Sequence, residues 1–229
     1  QHIVVYFHGG GFVIGGKDVY RNFCSLLAQE SNSAVVLLDY RLAPEYKYPT
    51  AHLDCFSMTK VLIEQHPEAK FQFAGDSAGA SLLLATYHQL TTKCQLNPPV
   101  LSLLLISPWV SPNSMDSAMI NNEADDYLNH RILTRWFNAY CDENDQGALQ
   151  QSCHNIPLNA SPPMLIQYSA SEVMADQIAA FKEKAITEGA PIEYDEFESL
   201  FHNFQIIGMQ TREGKVANRK IIDFLLAHR

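Results

Sequence analysis

Long apolar runs are missing from this sequence: no stretch approaches the roughly 20 residues that a membrane-crossing helix needs, and no signal-peptide pattern opens it. Cationic charge is scarce. Sixteen Lys and Arg stand against 25 Asp and Glu, a formal net charge of -9 that suits neither a nucleic-acid backbone nor an anionic bilayer. Nucleic acid and stable membrane insertion are therefore excluded as expected partners. Cysteine is sparse and irregular: Cys24, Cys55, Cys94, Cys141 and Cys153 are odd in number, widely spaced and free of any C-x-x-C pair. That pattern excludes a zinc framework and a regular disulfide scaffold, and it favours free thiols in a reducing, cytoplasmic compartment. Internal repeats and low-complexity tracts are absent too, so 229 residues with 47% hydrophobic and 18% charged content read as one globular domain over 1–229. The chain opens on Gln1 rather than Met and enters a core strand almost at once, which carries the expectation that an upstream segment is missing.

What is present is an alternation. Short apolar runs at Ile3–Phe7, Ala34–Asp39, Lys70–Ala74, Leu101–Ser107, Met164–Tyr168 and Ile192–Phe197 read as strands, most of them continuous, as in a sheet covered on both faces. Between them lie amphipathic stretches of helical length at Val19–Glu30, Asp54–Gln65, Ala78–Thr92, Ile132–Cys141, Met174–Glu188 and Gly214–His228. Such an order predicts an α/β fold: a mainly parallel, doubly wound sheet flanked by helices, with its site in the loops beyond the carboxyl ends of the strands. One polar segment, Ser107–His130, breaks the rhythm; residues 107–130 read either as a lid or cap segment or as an inert surface excursion.

"HGGGFVIGGK", from His8 to Lys17, follows the first strand and holds five glycines. Backbone amides in such a loop approach a negative group closely. Gly11, Gly16 and Lys17 fall at the spacing of a nucleotide P-loop, but the next residue is Asp18 where magnesium would need Ser or Thr. The alternative anion is one that exists only during a reaction.

"FQFAGDSAGASLLLA" favours that alternative. Gly75, Ser77 and Gly79 form G-x-S-x-G between a strand and a helix, the setting of a nucleophile elbow. An attack by Ser77 on a carbonyl generates an oxyanion, and the amides of Gly10, Gly11 and Ala78 are the candidate donors for it. His8 reads as an anchor for the glycine loop. A serine hydroxyl needs a base and the base needs an orienting carboxylate, in the chain order Ser, acid, His. Of His88, His130, His154 and His202, only His202 in "SLFHNF" lies in a loop after the last strand and before the last helix. The loop after "MLIQY" offers Glu172 at the strand end and Asp176 one turn into the next helix; position favours Glu172, with Asp176 the runner-up.

With "HGGGF" and "GDSAG" taken together with "DYRLAPEYKYPTAHLDC", "LISPW", "SEVMAD" and "HNF", the chain resembles the hormone-sensitive-lipase-like esterases of the α/β-hydrolase fold over nearly its whole length. The resemblance implies a serine esterase acting on small acyl, acetyl-like esters, with catalytic Ser77, Glu172 and His202 and with no metal or organic cofactor. Most members carry Asp where Glu172 stands, and a subset of acetyl-ester hydrolases uses Glu. Ala80 replaces a third small glycine, and Asp54 matches a recurrent position of structural character. Members also have two strands and cap helices before "HGGG" that are not readable here. The six readable strands then take the order Ala34–Asp39, Ile3–Phe7, Lys70–Ala74, Leu101–Ser107, Met164–Tyr168, Ile192–Phe197. A non-catalytic small-molecule receptor on the same fold is the rival reading, and it predicts a broken triad.

Overall fold

β-branched and aromatic runs feed a single parallel sheet. The computed structural model describes residues 1–92, 100–112, 117–145 and 156–229. Among these residues the strands are β1 (His2–Phe7), β2 (Ala34–Leu38), β3 (Lys70–Asp76), β4 (Val100–Ile106), β5 (Met164–Ser169) and β6 (Ile192–Phe197). Their order is β2-β1-β3-β4-β5-β6 and every pairing is parallel, as the sequence led one to expect. The helices are α1 (Lys17–Ser31), α2 (Thr50–Gln65), α3 (Ala78–Thr92), α4 (Ser117–Asn121), α5 (His130–Tyr140), α6 (Ala175–Thr187), α7 (Phe204–Ile207) and α8 (Arg212–Ala227), with a short 3-10 turn at Glu143–Asp145. Among the described residues no helix is long and apolar enough to cross a membrane.

Alternation along the strands splits the core into two layers. Ile3, Val5, Phe7, Phe71, Phe73, Leu103 and Leu105 face one side, where Ala51 and Cys55 of α2, Leu82 and Leu83 of α3, and Ile178 and Phe181 of α6 cover them. Val4, Tyr6, Ala74, Leu104, Ile106 and Leu165 face the other, under Tyr20, Phe23 and Leu27 of α1 and Ile221, Ile222 and Leu225 of α8. The edge strands β2 and β6 are the exception: apart from Leu38, their residues are half-buried or exposed.

Helix starts differ from the sequence reading for local reasons. Asn129 and Thr211 accept hydrogen bonds from the amides of Ile132 and Gly214, so α5 and α8 begin two residues before the expected Ile132 and Gly214. α2 starts at Thr50, four residues before the expected Asp54, because Pro49 sits at its N-cap and has no amide to leave unpaired. α4 and α7 are single turns, too short for a 3.6-residue period to register.

The strands run parallel, so Phe7, Asp76, Ile106, Ser169 and Phe197 all end at one edge of the sheet. The loops carrying Gly9–Gly11, Ser77, Glu172 and His202 leave from that edge.

Candidate active site

Ser77 alone separates β3 from α3, and its backbone is left-handed at φ 50°. That conformation disfavours any side chain and persists only where the surroundings enforce it. Here they do: the Ser77 amide donates to Ile106 O at 2.9 Å, and Ser77 O accepts from Ala80 N at 3.1 Å and Trp109 N at 3.0 Å. Gly79 makes the turn feasible, since a Cβ there would stand 2.1 Å from Phe7 O and 2.5 Å from His8 O. The first turn of α3 therefore rests directly on the end of β1.

His202 and Glu172 meet behind the elbow. The Nδ1 of His202 lies 3.1 Å from Glu172 Oε1, and both side chains are almost wholly buried. Glu172 Oε2 accepts from Ser107 Oγ at 2.7 Å and from Ser169 N at 3.1 Å, which fixes the carboxylate plane. Burial pushes His202 down, but the hydrogen bond and charge of Glu172, with the more distant Asp126 and Asp76, outweigh it and hold the imidazole above its ordinary pKa. The Nε2 of His202 is buried and has no hydrogen-bond partner among the described residues. Asp176 stands elsewhere, accepting from Ala118 N at 2.8 Å at the start of α4.

The polar segment 107–130 bears on this pair. Asp126 accepts from Val173 N at 3.0 Å and from His202 N at 3.3 Å, tying the acid loop to the histidine loop. Asn122 donates to Glu172 O at 2.9 Å and to Ala170 O at 3.2 Å.

Asp76 is a contact that sequence reasoning missed. Fully buried, it accepts from Tyr6 OH, Gly9 N and Tyr20 OH at 2.9 Å each and from Asn203 Nδ2 at 2.7 Å. One carboxylate thus joins the glycine loop, α1, the elbow and the residue after His202. The available signal was a carboxylate inside the G-x-S-x-G turn, directly before Ser77. Burial pushes its pKa up to about 6, against the opposing hydrogen bonds from Tyr20, Tyr6 and Gly9 and the charge of His202. The folded state then binds this proton more tightly than the unfolded chain, so the contribution of Asp76 to stability falls as pH rises from about 4 to about 6 and is level above that. Subtracting an Asp76→Asn variant from the native protein, in urea unfolding at a series of pH values, should reveal a decline of the order of 3 kcal/mol across that window. A pH-independent difference would show that Asp76 titrates normally.

The glycine loop curls through Gly10 (φ 110°), Gly11 (φ 61°) and Phe12 (φ 63°). Gly10 O accepts from Val13 N at 3.0 Å and Ile14 N at 2.9 Å, whereas no acceptor among the described residues occupies the amides of Gly10, Gly11 or Ala78. His8 is buried and stacked on Tyr40 at 4.2 Å, with Nδ1 2.7 Å from Gly9 O, an anchoring arrangement. Asp18 is exposed and pairs with Arg21, leaving no phosphate cradle at Lys17. Asp54 accepts from Arg41 Nε at 2.9 Å and Nη2 at 2.7 Å. His130 pairs with Glu123, and His154 lies outside the described residues. No cluster of three His, Cys, Asp or Glu side chains among the described residues is arranged to hold a metal ion.

Ser77, Gly10 and His202 line one cavity of about 260 Å³. The sequence had named all three from separate segments; Glu172 stands behind His202, and Gly11 and Ala78 adjoin Gly10 and Ser77. Trp136, Tyr127 and Asn203 complete much of the wall without having been singled out.

A family model described as the α/β hydrolase fold matches residues 4–206. The chain belongs to the α/β-hydrolase fold family. This hydrolase is 30% identical over 201 residues to an acetyl-hydrolase of Streptomyces hygroscopicus, covering 87% of the chain and 67% of that relative. It is 29% identical over 225 residues to an esterase of Acinetobacter venetianus, covering 97% of the chain and 74% of the relative. A solved esterase from the bacterial hormone-sensitive lipase family superposes with a TM-score of 0.89 at 26% identity, over 99% of this chain and 76% of that one. A Pyrobaculum calidifontis esterase gives 0.89 at 26% identity over 98% and 76%. The resemblance to hormone-sensitive-lipase-like esterases is thus borne out, and this hydrolase spans between two thirds and about three quarters of the length of these relatives.

Proposed function

We propose that this hydrolase is a serine carboxylic-ester hydrolase that works through an acyl-enzyme. Ser77 Oγ attacks the ester carbonyl as its proton passes to His202 Nε2. Glu172 holds the Nδ1 proton and steadies the imidazolium that results. The amides of Gly10, Gly11 and Ala78 stabilise the tetrahedral oxyanion. Collapse of that intermediate breaks the bond to the alkoxy oxygen, which takes the proton from His202 and leaves as the alcohol. Water then repeats the sequence on the acyl-enzyme, with His202 as base, and releases the acid and free Ser77.

The observation that carries this reading is a buried Glu172–His202 pair whose histidine lines the same cavity as the strained Ser77. A non-catalytic receptor has no use for a desolvated acid–base couple beside an elbow serine, so the receptor reading is set aside. Relatives bearing the names acetyl-hydrolase and acetyl esterase support acetyl-like esters as the substrate class. Contacts of Asn122 and Asp126 support reading 107–130 as a buttress for the acid and histidine loops within one domain. Free Cys24, Cys55 and Cys141 agree with a reducing, cytoplasmic setting.

A fluorophosphonate probe tests nucleophile activation without assuming a substrate. The peptide carrying Ser77 should gain the mass of one phosphonyl group, alongside hydrolysis of p-nitrophenyl acetate by the unlabelled protein. A folded chain that takes no label at Ser77 would overturn the assignment.

A further inference from the structure

Proton transfer from Ser77 requires His202 to stand at a fixed distance from it, yet the two residues follow different strands of the sheet. The Nε2 of His202 has no hydrogen-bond partner among the described residues. Glu172 orients the imidazole, but that contact does not set how far the ring stands from the serine. The residues next to each of them do meet. Asp76 precedes Ser77, Asn203 follows His202, and Asn203 Nδ2 donates to Asp76 Oδ2 at 2.7 Å. What this contact does for the reaction rests on the ester-hydrolase reading above.

Both ends of the contact are held. Asn203 is 6% exposed and forms the N-cap of α7 with a left-handed backbone at φ 55° and ψ 30°, a conformation that asparagine tolerates better than most residues. Its backbone amide donates to Ser107 Oγ at 3.3 Å, and that hydroxyl donates to Glu172 Oε2 at 2.7 Å. The backbone of Asn203 therefore serves the acid, while its side chain serves the elbow. Asn203 Oδ1 is buried without a partner among the described residues, so the Nδ2 bond orients the carboxamide. Asp76 is a firm anchor for it, because Tyr6 OH and Gly9 N donate to Oδ1 and Tyr20 OH donates to Oδ2. A shift of Asn203 is thus a shift of His202 against a fixed nucleophile.

We infer that Asn203 is a positioning residue, whose side-chain bond to Asp76 sets the separation of the Ser77 hydroxyl from the His202 imidazole. A misplacement of about 1 Å between reacting groups costs about 100-fold in rate, so a bond that governs this gap is visible in kcat.

Asn203→Gly deletes the carboxamide and keeps the turn, since glycine adopts the left-handed region freely. With p-nitrophenyl acetate, and with active sites counted by fluorophosphonate titration, kcat per site should fall by about 10- to 100-fold while KM stays within about threefold. The acid limb of kcat/KM should stay near native, because the backbone amide still holds Ser107 on Glu172 and the His202–Glu172 pair is intact.

Asn203→Asp keeps the side-chain shape but sets a second carboxyl against Asp76, and it serves if the glycine variant does not fold. Two carboxyls in contact share one proton and release it only at raised pH. The other titratable groups that face Asp76 are Tyr6, Tyr20, Cys24, Tyr40, Tyr127 and His202. Burial pushes the phenols and the thiol upward, so they stay neutral while the pair titrates. The shared proton preserves the link and the net charge, so this variant should stay near native at neutral pH. Its loss should add an alkaline limb below about pH 10, with kcat/KM down by about tenfold or more.

A per-site kcat within about threefold of native in Asn203→Gly, whatever its melting temperature, would overturn the inference. So would an acid limb moved to lower pH in that variant, or an Asn203→Asp profile with no new alkaline limb. Folded native protein that neither hydrolyses p-nitrophenyl acetate nor takes the phosphonate label would instead overturn the hydrolase reading itself.

Discussion

Ser77→Ala should lower kcat for p-nitrophenyl acetate by about 10⁴-fold or more while leaving KM within a few-fold. Removal of the nucleophile from a serine-histidine-acid constellation is known to cost about 10⁶ in kcat, and the residue left over water comes from oxyanion donors and binding. Both survive here, because the Gly10, Gly11 and Ala78 amides and the cavity wall do not depend on the Ser77 hydroxyl. The fold should survive too. Among the described residues, the hydrogen bonds at the elbow use the Ser77 backbone, to Ile106, Ala80 and Trp109, and alanine retains these atoms. Alanine is no better than serine at φ 50°, so the variant keeps the elbow strain and its melting temperature should stay near the native value. Ser77→Gly, equally inactive, should be more stable by about 1 kcal/mol, because glycine occupies the left-handed region without penalty. The measurements are steady-state kinetics and thermal unfolding of the three proteins side by side. Activity of Ser77→Ala above one hundredth of native would remove Ser77 from the chemistry and leave the elbow as a purely structural turn.

The elbow was legible in the sequence because its chemistry is local. Gly75, Ser77 and Gly79 stand within five residues of each other, and a sharp strand-to-helix turn admits few other residues. The strands were legible for a similar reason, since a run such as Ile3–Phe7 is apolar without interruption, whereas their order came from the family resemblance. His202 and Glu172 could be chosen by loop position alone. What holds them could not. Asp126 reaches His202 across 76 residues, Ser107 reaches Glu172 across 65, and Asn203 reaches Asp76 across 127. Each is an unremarkable polar residue in a stretch with no period to read, so nothing marks its partner before the chain is folded. Trp136 is concealed in another way: it sits on an amphipathic helix whose regular spacing explains it as core, and only its contact with Gly11 reveals a wall of the cavity. The capped helix starts at Asn129 and Thr211 were open to a reading that weighed caps above apolar periodicity.

Glu172→Gln should reduce kcat by about 10³- to 10⁴-fold, the scale seen when the orienting acid of such a triad becomes an amide. The cause follows from the contacts on each oxygen. Oε2 faces two donors, Ser107 Oγ and Ser169 N, so the amide of Gln would turn its oxygen to them and its nitrogen toward His202 Nδ1. An N–H aimed at Nδ1 makes that atom an acceptor and transfers the ring proton to Nε2. The histidine then points a donor at Ser77 and cannot take its proton. A pH profile distinguishes this from simple loss of packing. In the native protein His202 is held above its usual 6.5, so kcat/KM should fall as pH drops through a value above 6.5. Without the carboxylate, burial dominates and lowers the pKa, so the acid limb of the variant should move to lower pH. The defect should therefore be largest above pH 7 and shrink in acid, where the native imidazole is protonated and the variant one is not. Asp176→Asn is the control: its carboxylate meets Ala118 N rather than the imidazole, and both rate and limb should stay near native. An acid limb that stays fixed in Glu172→Gln but moves in Asp176→Asn would reverse the assignment of the acid.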